Sequence, residues 1–381
     1  MRLLCPMTYY RPYVSGPIIY IERLAAELVR RGHEVTFLAS WHDRSSPREE
    51  MRDGIRIVRV PVAARVSKGV LMPRLPFTAW DLTRRHDAVL IQCPQFDAWV
   101  LALLARLAGR PGVITYHCDV QLPPGLLNRV VDLTLSAVTR VAVGMSARVV
   151  AYTRDYASHS PVLGRFPDKI EVISPPVEMP LPDPARVERF RKQHGLAGRK
   201  VIGICGRMSA EKGFEYLLQA LSRIEQTFPG VCVLHAGESE TVIGETDYRR
   251  RLQPLLERQA GRWIPLGVLG GADLADFFAA CDVTVLPSLN RTESFGLVQV
   301  ESMLCGTPVV ASALPGVRVP TKATGMGVTT PPGDADALAD SLIRVLGEPG
   351  RYRRPRSEIE AVYSTVRTAE AYEKLLARLV S

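Results

Sequence analysis

Short apolar runs alternate with segments of helical spacing along most of the chain, interrupted by the proline-dense stretch Ser174-Pro175-Pro176-Val177-Glu178-Met179-Pro180-Leu181-Pro182-Asp183-Pro184. Alternation of this kind predicts parallel strands joined by right-handed crossovers. So dense a run of prolines fits neither a helix nor an inner strand, and it is placed as the linker between two domains. A chain of 381 residues is too long for one ordinary core and suits two of near-equal size. The expected domains are 1–174 and 185–356, with 357–381 as a C-terminal helix returning to the N-terminal domain.

Before the linker a strand is expected at Arg2 to Pro6, a loop at Met7 to Gly16 and a helix from about Pro17 to Arg31. Ile21, Leu24, Ala25 and Leu28 recur there at helical spacing, Pro17 suits a first helical position and Gly32 supplies the stop. Further strands are expected at Val35 to Ala39, Ile55 to Val60, Ala88 to Ile91, Val113 to Tyr116 and Val149 to Tyr152, with helices from about Phe96 to Leu107 and inside Leu126 to Val143. The second domain repeats the alternation, with strands at Val201 to Cys205, Cys232 to Ala236, Trp263 to Leu266 and Val283 to Leu286. Helices at Phe214 to Gln226, Asp247 to Gln259 and Leu274 to Ala280 separate them. In the last helix, Ser357 to Ser381, the expected buried side is Ala361, Val362, Ala369, Tyr372, Leu375, Leu376 and Leu379. Two doubly wound domains in tandem should face one another across a cleft.

Charge narrows the partners. The first 180 residues hold 23 basic against 16 acidic side chains and the remainder 25 against 23, so most of the net +9 lies in the first half. A basic domain suits a phosphorylated small molecule or an anionic membrane face. No arginine-rich run with interleaved aromatics and no helix-turn-helix or zinc-finger pattern points to nucleic acid. The 7 cysteines lack Cys-x-x-Cys spacing and mostly sit in apolar runs, so neither disulfides nor zinc are expected. With no signal-like segment or membrane-length apolar run, a cytoplasmic location is expected, with peripheral contact at the inner membrane face left open.

Two constellations carry the chemistry. Gly206-Arg207-Met208-Ser209-Ala210-Glu211-Lys212-Gly213 lies between a strand and a helix, where Arg207 and Lys212 can converge on one anion beside free helix-start N–H groups. It is not a P-loop, and Gly203-Ile204-Cys205-Gly206 does not make a dinucleotide fingerprint. The second is Thr292-Glu293-Ser294-Phe295-Gly296-Leu297-Val298-Gln299-Val300-Glu301, which follows a strand and opens a helix. Were the whole run helical, Glu293 and Glu301 would lie roughly 12 Å apart, a span comparable with that from a sugar ring to a ribose across a diphosphate. The N–H groups of Phe295, Gly296 and Leu297 should then be unsatisfied helix-start donors. Taken alone, two such glutamates are more often caps.

Together, Gly206-Arg207 with Glu211-Lys212-Gly213 and then Glu293-x7-Glu301 resemble glycosyltransferase family 4, the retaining group with the two-domain GT-B fold. The resemblance takes in Arg31-Gly32-His33-Glu34-Val35, Tyr116-His117, Pro287-Ser288 and Gly306-Thr307-Pro308-Val309-Val310-Ala311. It implies two Rossmann-like domains and hexose transfer from a UDP- or GDP-sugar to an acceptor hydroxyl, in cell-envelope polysaccharide or glycoconjugate synthesis. By the same resemblance Arg207 and Lys212 would bind the diphosphate, Glu293 the transferred sugar and Glu301 the ribose. Ser294, Phe295, Gly296 and Leu297 would line the sugar-donor site, and His117 would approach the sugar from the N-terminal domain. Gly16 would let its loop approach the phosphates, although Ser15-Gly16-Pro17 departs from the family's Gly-Gly pair. Val268, in Gly267-Val268-Leu269-Gly270, faces the base in this scheme.

Other accounts stay open at this level. His117 is by itself a structural hydrogen-bonder at a strand end, or, with Asp119 nearby, a general base. Asp334-Ala335-Asp336 precedes a helix and reads as a cap, so no metal or other cofactor is expected. Pro61 to Phe77 mixes Arg65, Lys68 and Arg74 with Val66, Val70, Leu71, Met72 and Leu75, which suits a membrane surface, a lipid-linked acceptor or a loop over the core. A nucleotide-sugar epimerase, a phosphorylase or a non-catalytic sensor could share the architecture.

Overall fold

The computed structural model describes residues 1–66, 69–121, 125–240, 242 and 244–380, without the side chains of Val66 and Leu127. The chain forms two units, Met1–Pro176 with Ser364–Ser381, and Val177–Tyr363.

The first unit runs β1 (Arg2–Pro6), α1 (Gly16–Arg30), β2 (Glu34–Trp41), β3 (Glu49–Arg52), β4 (Ile55–Pro61), β5 (Ala64–Val66), β6 (Gly69–Leu71), α2 (Leu75–Arg85), β7 (Ala88–Cys93), α3 (Ala98–Leu107), β8 (Gly112–Tyr116), α4 (Leu126–Met145), β9 (Arg148–Ala151), α5 (Arg154–His159) and β10 (Ile170–Val172). Among the described residues one sheet has the order β10-β9-β8-β7-β1-β2-β4-β3. Its inner strands are near-continuous apolar runs because both faces are covered. All pairs are parallel except β3 with β4. β3, Glu-Glu-Met-Arg, carries no apolar pattern to announce it and holds an edge through Arg59, whose guanidinium bonds Glu50 and the Pro47 carbonyl.

Pro61 to Phe77 is not a plain loop over the core. It contains the antiparallel β5–β6 hairpin and the start of α2, with Met72 and Leu75 in the core and Leu71 and Phe77 exposed. Lys68 lies outside the described residues. In α4, Ala142 and Val143 pack in the core, while Leu126, Val130, Leu133 and Val141 are exposed.

The C-terminal helix, Thr365–Val380, packs on α1. The Tyr372 hydroxyl meets Tyr20 Oη and Thr115 Oγ1, each at 2.8 Å, and Glu373 pairs with Arg31 and His33. The tail is not one continuous helix. Arg356–Val362 belongs to the second unit, and the break at Tyr363–Ser364 resets the helical phase, leaving Ala361 and Val362 exposed and Leu379 half-buried.

The second unit contains α6 (Pro184–Gln193), β11 (Val201–Cys205), α7 (Phe214–Thr227), β12 (Cys232–Ala236), α8 (Thr246–Arg258), β13 (Trp263–Gly267), α9 (Gly271–Ala280), β14 (Val283–Leu286), α10 (Leu297–Leu304), β15 (Val309–Ser312), α11 (Arg318–Thr324), β16 (Gly327–Thr330), α12 (Ala335–Gly347) and α13 (Arg356–Val362). Its sheet is all parallel in the order β13-β12-β11-β14-β15-β16. The proline-dense stretch is extended and anchored rather than loose. Val177 and Met179 are buried, and the Arg356 guanidinium donates to the carbonyls of Met179 and Leu304. No described helix is long and apolar enough to cross a membrane.

Candidate functional site

In an open parallel sheet, ligands bind outside the carboxyl ends of the strands where the strand order reverses. In the second unit that point lies between β11 and β14, which are neighbours although β12 and β13 intervene in sequence. The loop after β11 carries Arg207 and Lys212, and the loop after β14 carries Glu293 to Gly296. The sheet therefore brings the two constellations together.

The junction is closely built. Lys212 Nζ lies 2.5 Å from Glu293 Oε2, and the Ser288 hydroxyl donates to the same oxygen at 3.4 Å. Leu289 N–H bonds the Glu211 carbonyl at 2.9 Å, tying the two loops through their backbones. Gly213 sits at φ +66° where an added Cβ would meet the Pro287 carbonyl at 2.3 Å, so only glycine lets the turn into α7 approach the β14 loop this closely. Burial by itself would lower the Lys212 pKa, but the charge and hydrogen bond of Glu293 outweigh it and the group is raised. Burial likewise pushes Glu211 up, and the Ser209 hydroxyl, a backbone N–H, Arg207 and Lys212 together hold it low. Arg207 bonds Glu211 Oε1 at 3.2 Å and its side chain is half-exposed. Ser209 and Ser288 supply hydroxyls to these carboxylates; isolated serines near strand ends give sequence reasoning no signal for that role.

Glu293 is not helical. It stands in a turn, its N–H on the Asn290 carbonyl, and α10 begins only at Leu297. The helix-based spacing from Glu293 to Glu301 therefore does not apply, and Phe295 and Gly296 precede the helix instead of forming its first turn. Gln299 N–H is taken by the Gly296 carbonyl; Leu297 and Val298, earlier in the first turn, have no acceptor within the helix. Ser294 and Phe295 are buried, and the Phe295 ring packs edge-on against Tyr363. Gly296 has φ +77°, and a Cβ would lie 2.3 Å from Leu286 Cδ2. Gln299, to which no role fell from the sequence, is fully buried and donates to the carbonyls of Phe295 and Val317, fixing the entry to α10. Glu301 is 7% exposed, and its charge is felt by Cys205 at the end of β11, whose thiol is pushed up to about 12, first by burial and then by Glu301. Val268 is 74% exposed on the loop after β13, two strands from β11. A surface with two cations, two carboxylates and first-turn N–H groups can hold an elongated ligand that is anionic in the middle and hydroxylated at its ends.

In the first unit the order reverses between β1 and β7. His117 and Gln92 line a pocket there with Tyr9, Ser15 and Pro17. Gly16 is exposed at the start of α1, with open space around it. His117 is buried, and burial pulls its imidazole down to about 3, so it is neutral. Gln92 Nε2 donates to the Leu90 carbonyl, which turns Gln92 Oε1 toward His117 Nε2 at 2.9 Å. Nε2 therefore carries the proton, and Nδ1 accepts from the Tyr152 hydroxyl. Asp119 does not orient His117; it is occupied by the hydroxyls of Tyr116, Tyr156 and Ser160. Gln92 and Tyr152, both distant in sequence, went unseen.

Asp334 caps α12, its Oδ1 accepting from Ala337 N–H at 2.9 Å, and Asp336 pairs with Arg223. All seven cysteines are free thiols.

Residues 15–176 match the family profile described as "Glycosyl transferase 4-like domain", and residues 199–348 match "Glycosyl transferases group 1". The 2-deoxystreptamine glucosyltransferase of Streptomyces kanamyceticus is 32% identical over 289 residues, 70% of each chain. The chain belongs to glycosyltransferase family 4. A D-inositol 3-phosphate glycosyltransferase of Xylanimonas cellulosilytica is 28% identical over 381 aligned residues, covering 89% of this glycosyltransferase and 85% of the relative. Anabaena HepE in complex with UDP superposes with TM-score 0.79 at 22% identity, over 99% of this glycosyltransferase and all of HepE. The likeness to HepE establishes the GT-B fold.

Proposed function

We propose that the chain is a retaining hexosyltransferase, moving a hexose from a UDP- or GDP-sugar to a hydroxyl of a sugar or lipid-linked acceptor. The observation that carries this reading is the meeting of Lys212 with Glu293 at the β11/β14 switch point, with Arg207 on Glu211 in the same loop as Lys212 and Glu301 one helix turn beyond the first-turn N–H groups of α10. In this reading Arg207, Lys212 and the first turn of α10 take the diphosphate, Glu301 the ribose and Glu293 the hexose, with Ser294, Phe295, Gly296 and Leu297 shaping the site. Gly16 and His117 act from the first unit, where Nε2–H can turn from Gln92 to a sugar hydroxyl, and Val268 faces the base. HepE was crystallised with UDP-glucose as well as UDP, which makes UDP-glucose the first sugar donor to try.

The bond from the anomeric carbon to the diphosphate oxygen breaks first, and its electron pair leaves with the nucleoside diphosphate. The acceptor oxygen bonds to the same face of the sugar and passes its proton to the departing phosphate oxygen. Preorganised cations and N–H groups stabilise the leaving charge without reorganisation, so no metal is required. A cytoplasmic role in cell-envelope polysaccharide or glycoconjugate synthesis completes the reading.

A thermal-shift series with UDP, GDP, ADP and their hexose conjugates, followed by proton NMR of the product's anomeric signal, tests it. Stabilisation by UDP or GDP and an α-linked product from an α-linked sugar donor are expected. A β-linked product overturns retention, and no shift with any nucleotide overturns the sugar-donor site.

A further inference from the structure

A second cavity, of about 390 Å³, opens at the amino edge of the first sheet, where β8 and β9 begin and α3 and α4 end. It and His117 lie at opposite ends of β8, roughly 16 Å apart. Its volume falls within the range of about 300–1,000 Å³ common to small-molecule sites. Arg106, Arg110 and Lys169 supply the charge of its wall, and Pro111, Met145 and Leu379 its apolar part. No aspartate or glutamate is among its described lining residues.

Cations at this edge have a plain structural use, since helix C-termini carry negative partial charge and unmet carbonyls. Lys169 is engaged in that way. Its ammonium donates to the carbonyls of Val143, Gly144 and Ser146 at 3.0, 2.6 and 2.8 Å, closing the end of α4. The two arginines are not. Among the described residues the Arg106 side chain makes no hydrogen bond or ion pair, and the Arg110 guanidinium makes one bond, to the Arg84 carbonyl at 3.4 Å. Glu171, on β10, is already shared by Arg148 at 3.6 Å and Arg378 at 3.1 Å. The wall therefore holds positive charge without a counter-charge. Lys169 responds to it, with a pKa lowered first by burial and then by repulsion from Arg106 and Arg148. A bound anion relieves that repulsion. Two guanidinium forks beside an ammonium match a phosphate dianion better than a carboxylate, because they reach several oxygens at once and balance more than one negative charge.

We propose that this cavity is a second ligand site, separate from the site of sugar transfer, and that it takes the phosphate group of a soluble phosphate ester or a lipid headgroup on Arg106 and Arg110. Lys169 supplies fixed positive charge beside them, and Pro111, Met145 and Leu379 receive the carbon part of the ligand. The site stands on these residues alone and does not depend on the glycosyl-transfer reading above.

The test is a phosphorus NMR titration of glycerol 3-phosphate on the full chain, with and without Arg106→Gln and Arg110→Gln together. Every protein also carries Arg207→Ala, so that the cations of the second unit do not mask the result. The same proteins are sedimented with phosphatidylcholine vesicles, with and without phosphatidic acid. Arg106 is exposed and Arg110 half-buried, and Arg106→Gln by itself serves if the double substitution does not fold. Loss of both arginines should weaken binding about tenfold or more, and an equal concentration of acetate should not displace the ester. Binding in solution without sedimentation assigns a soluble phosphate ester. Sedimentation that requires phosphatidic acid and both arginines assigns a lipid headgroup, and either result supports the site. Binding unchanged by the arginine substitutions, displacement by acetate, or no binding of either probe would overturn the proposal.

Discussion

Lys212 Nζ and Glu293 Oε2 lie 2.5 Å apart, joining the loop after β11 to the loop after β14 at the switch point of the second sheet. Their side chains are 23% and 15% exposed, so the pair is shielded enough to matter and open enough to be met by a ligand. Lys212→Ala and Glu293→Ala should be non-additive in stability, with a coupling of about 1–3 kcal/mol. A double-mutant cycle by urea unfolding checks this; additivity within about 0.3 kcal/mol would mean that the contact carries no coupling.

Glu301 and Glu293 should separate binding from turnover. Glu301→Ala is expected to weaken UDP or GDP binding by about tenfold or more, whereas Glu293→Ala should leave nucleotide affinity within about threefold and lower kcat. Calorimetric titration beside steady-state rates distinguishes them, and equal losses of nucleotide affinity in both variants count against the assignment.

Gly296 and Gly16 make opposite demands. At φ +77°, with Leu286 Cδ2 2.3 Å from where a Cβ would stand, Gly296→Ala must strain the backbone and displace a core leucine. A loss of about 2 kcal/mol or more is expected. Gly16→Ala meets open space at an ordinary φ and should change stability by less than about 0.5 kcal/mol. Chemical denaturation of the two variants reads the contrast.

His117 sets part of the acid response. Burial lowers its pKa from 6.5 to about 3, so between those values the unfolded chain takes up a proton that the folded chain does not. Stability should therefore fall as pH drops from about 6.5 toward 3, by up to about 1.4 kcal/mol per pH unit for this group. His86 and His235 are lowered by burial too and act in the same direction. In His117→Gln the decline between pH 6.5 and 4.5 should be shallower by about that amount, measured by urea midpoints across the range. An unchanged slope would contradict a neutral buried imidazole.

Tyr372 ties the returning C-terminal helix to Tyr20, whose ring in turn meets His117 edge-on at 5.2 Å. Tyr372→Phe strips the buried hydroxyls of Tyr20 and Thr115 of their shared partner and should cost about 1–3 kcal/mol. Thermal unfolding tests this, and an unaltered midpoint would show that both hydroxyls find other partners.

The two sheets were legible in the sequence because their inner strands are buried on both faces and read as plain apolar runs, as Val201–Cys205, Cys232–Ala236 and Val283–Leu286 do. β3 was not, because an edge strand of Glu-Glu-Met-Arg is held by cross-strand charges that have no periodic signature. Arg207, Lys212 and Glu293 stood out as charges beside strand ends, and the sheet order is what makes them neighbours. The start of α10 was misplaced because Gly296 and the buried Gln299, rather than a side-chain cap, delay the helix to Leu297. His117's partners Gln92 and Tyr152 lie 25 and 35 residues away and become neighbours only through parallel pairing of β7, β8 and β9.

The most direct test of the account is the turnover of UDP-glucose and GDP-mannose, each at saturating concentration, by the natural chain and by Arg207→Ala and Lys212→Ala. Nucleoside diphosphate release from one of the two sugars should fall by about 10²- to 10³-fold in each variant while the proteins stay folded. Near-natural turnover in both variants would contradict the claim that these cations stabilise the departing diphosphate.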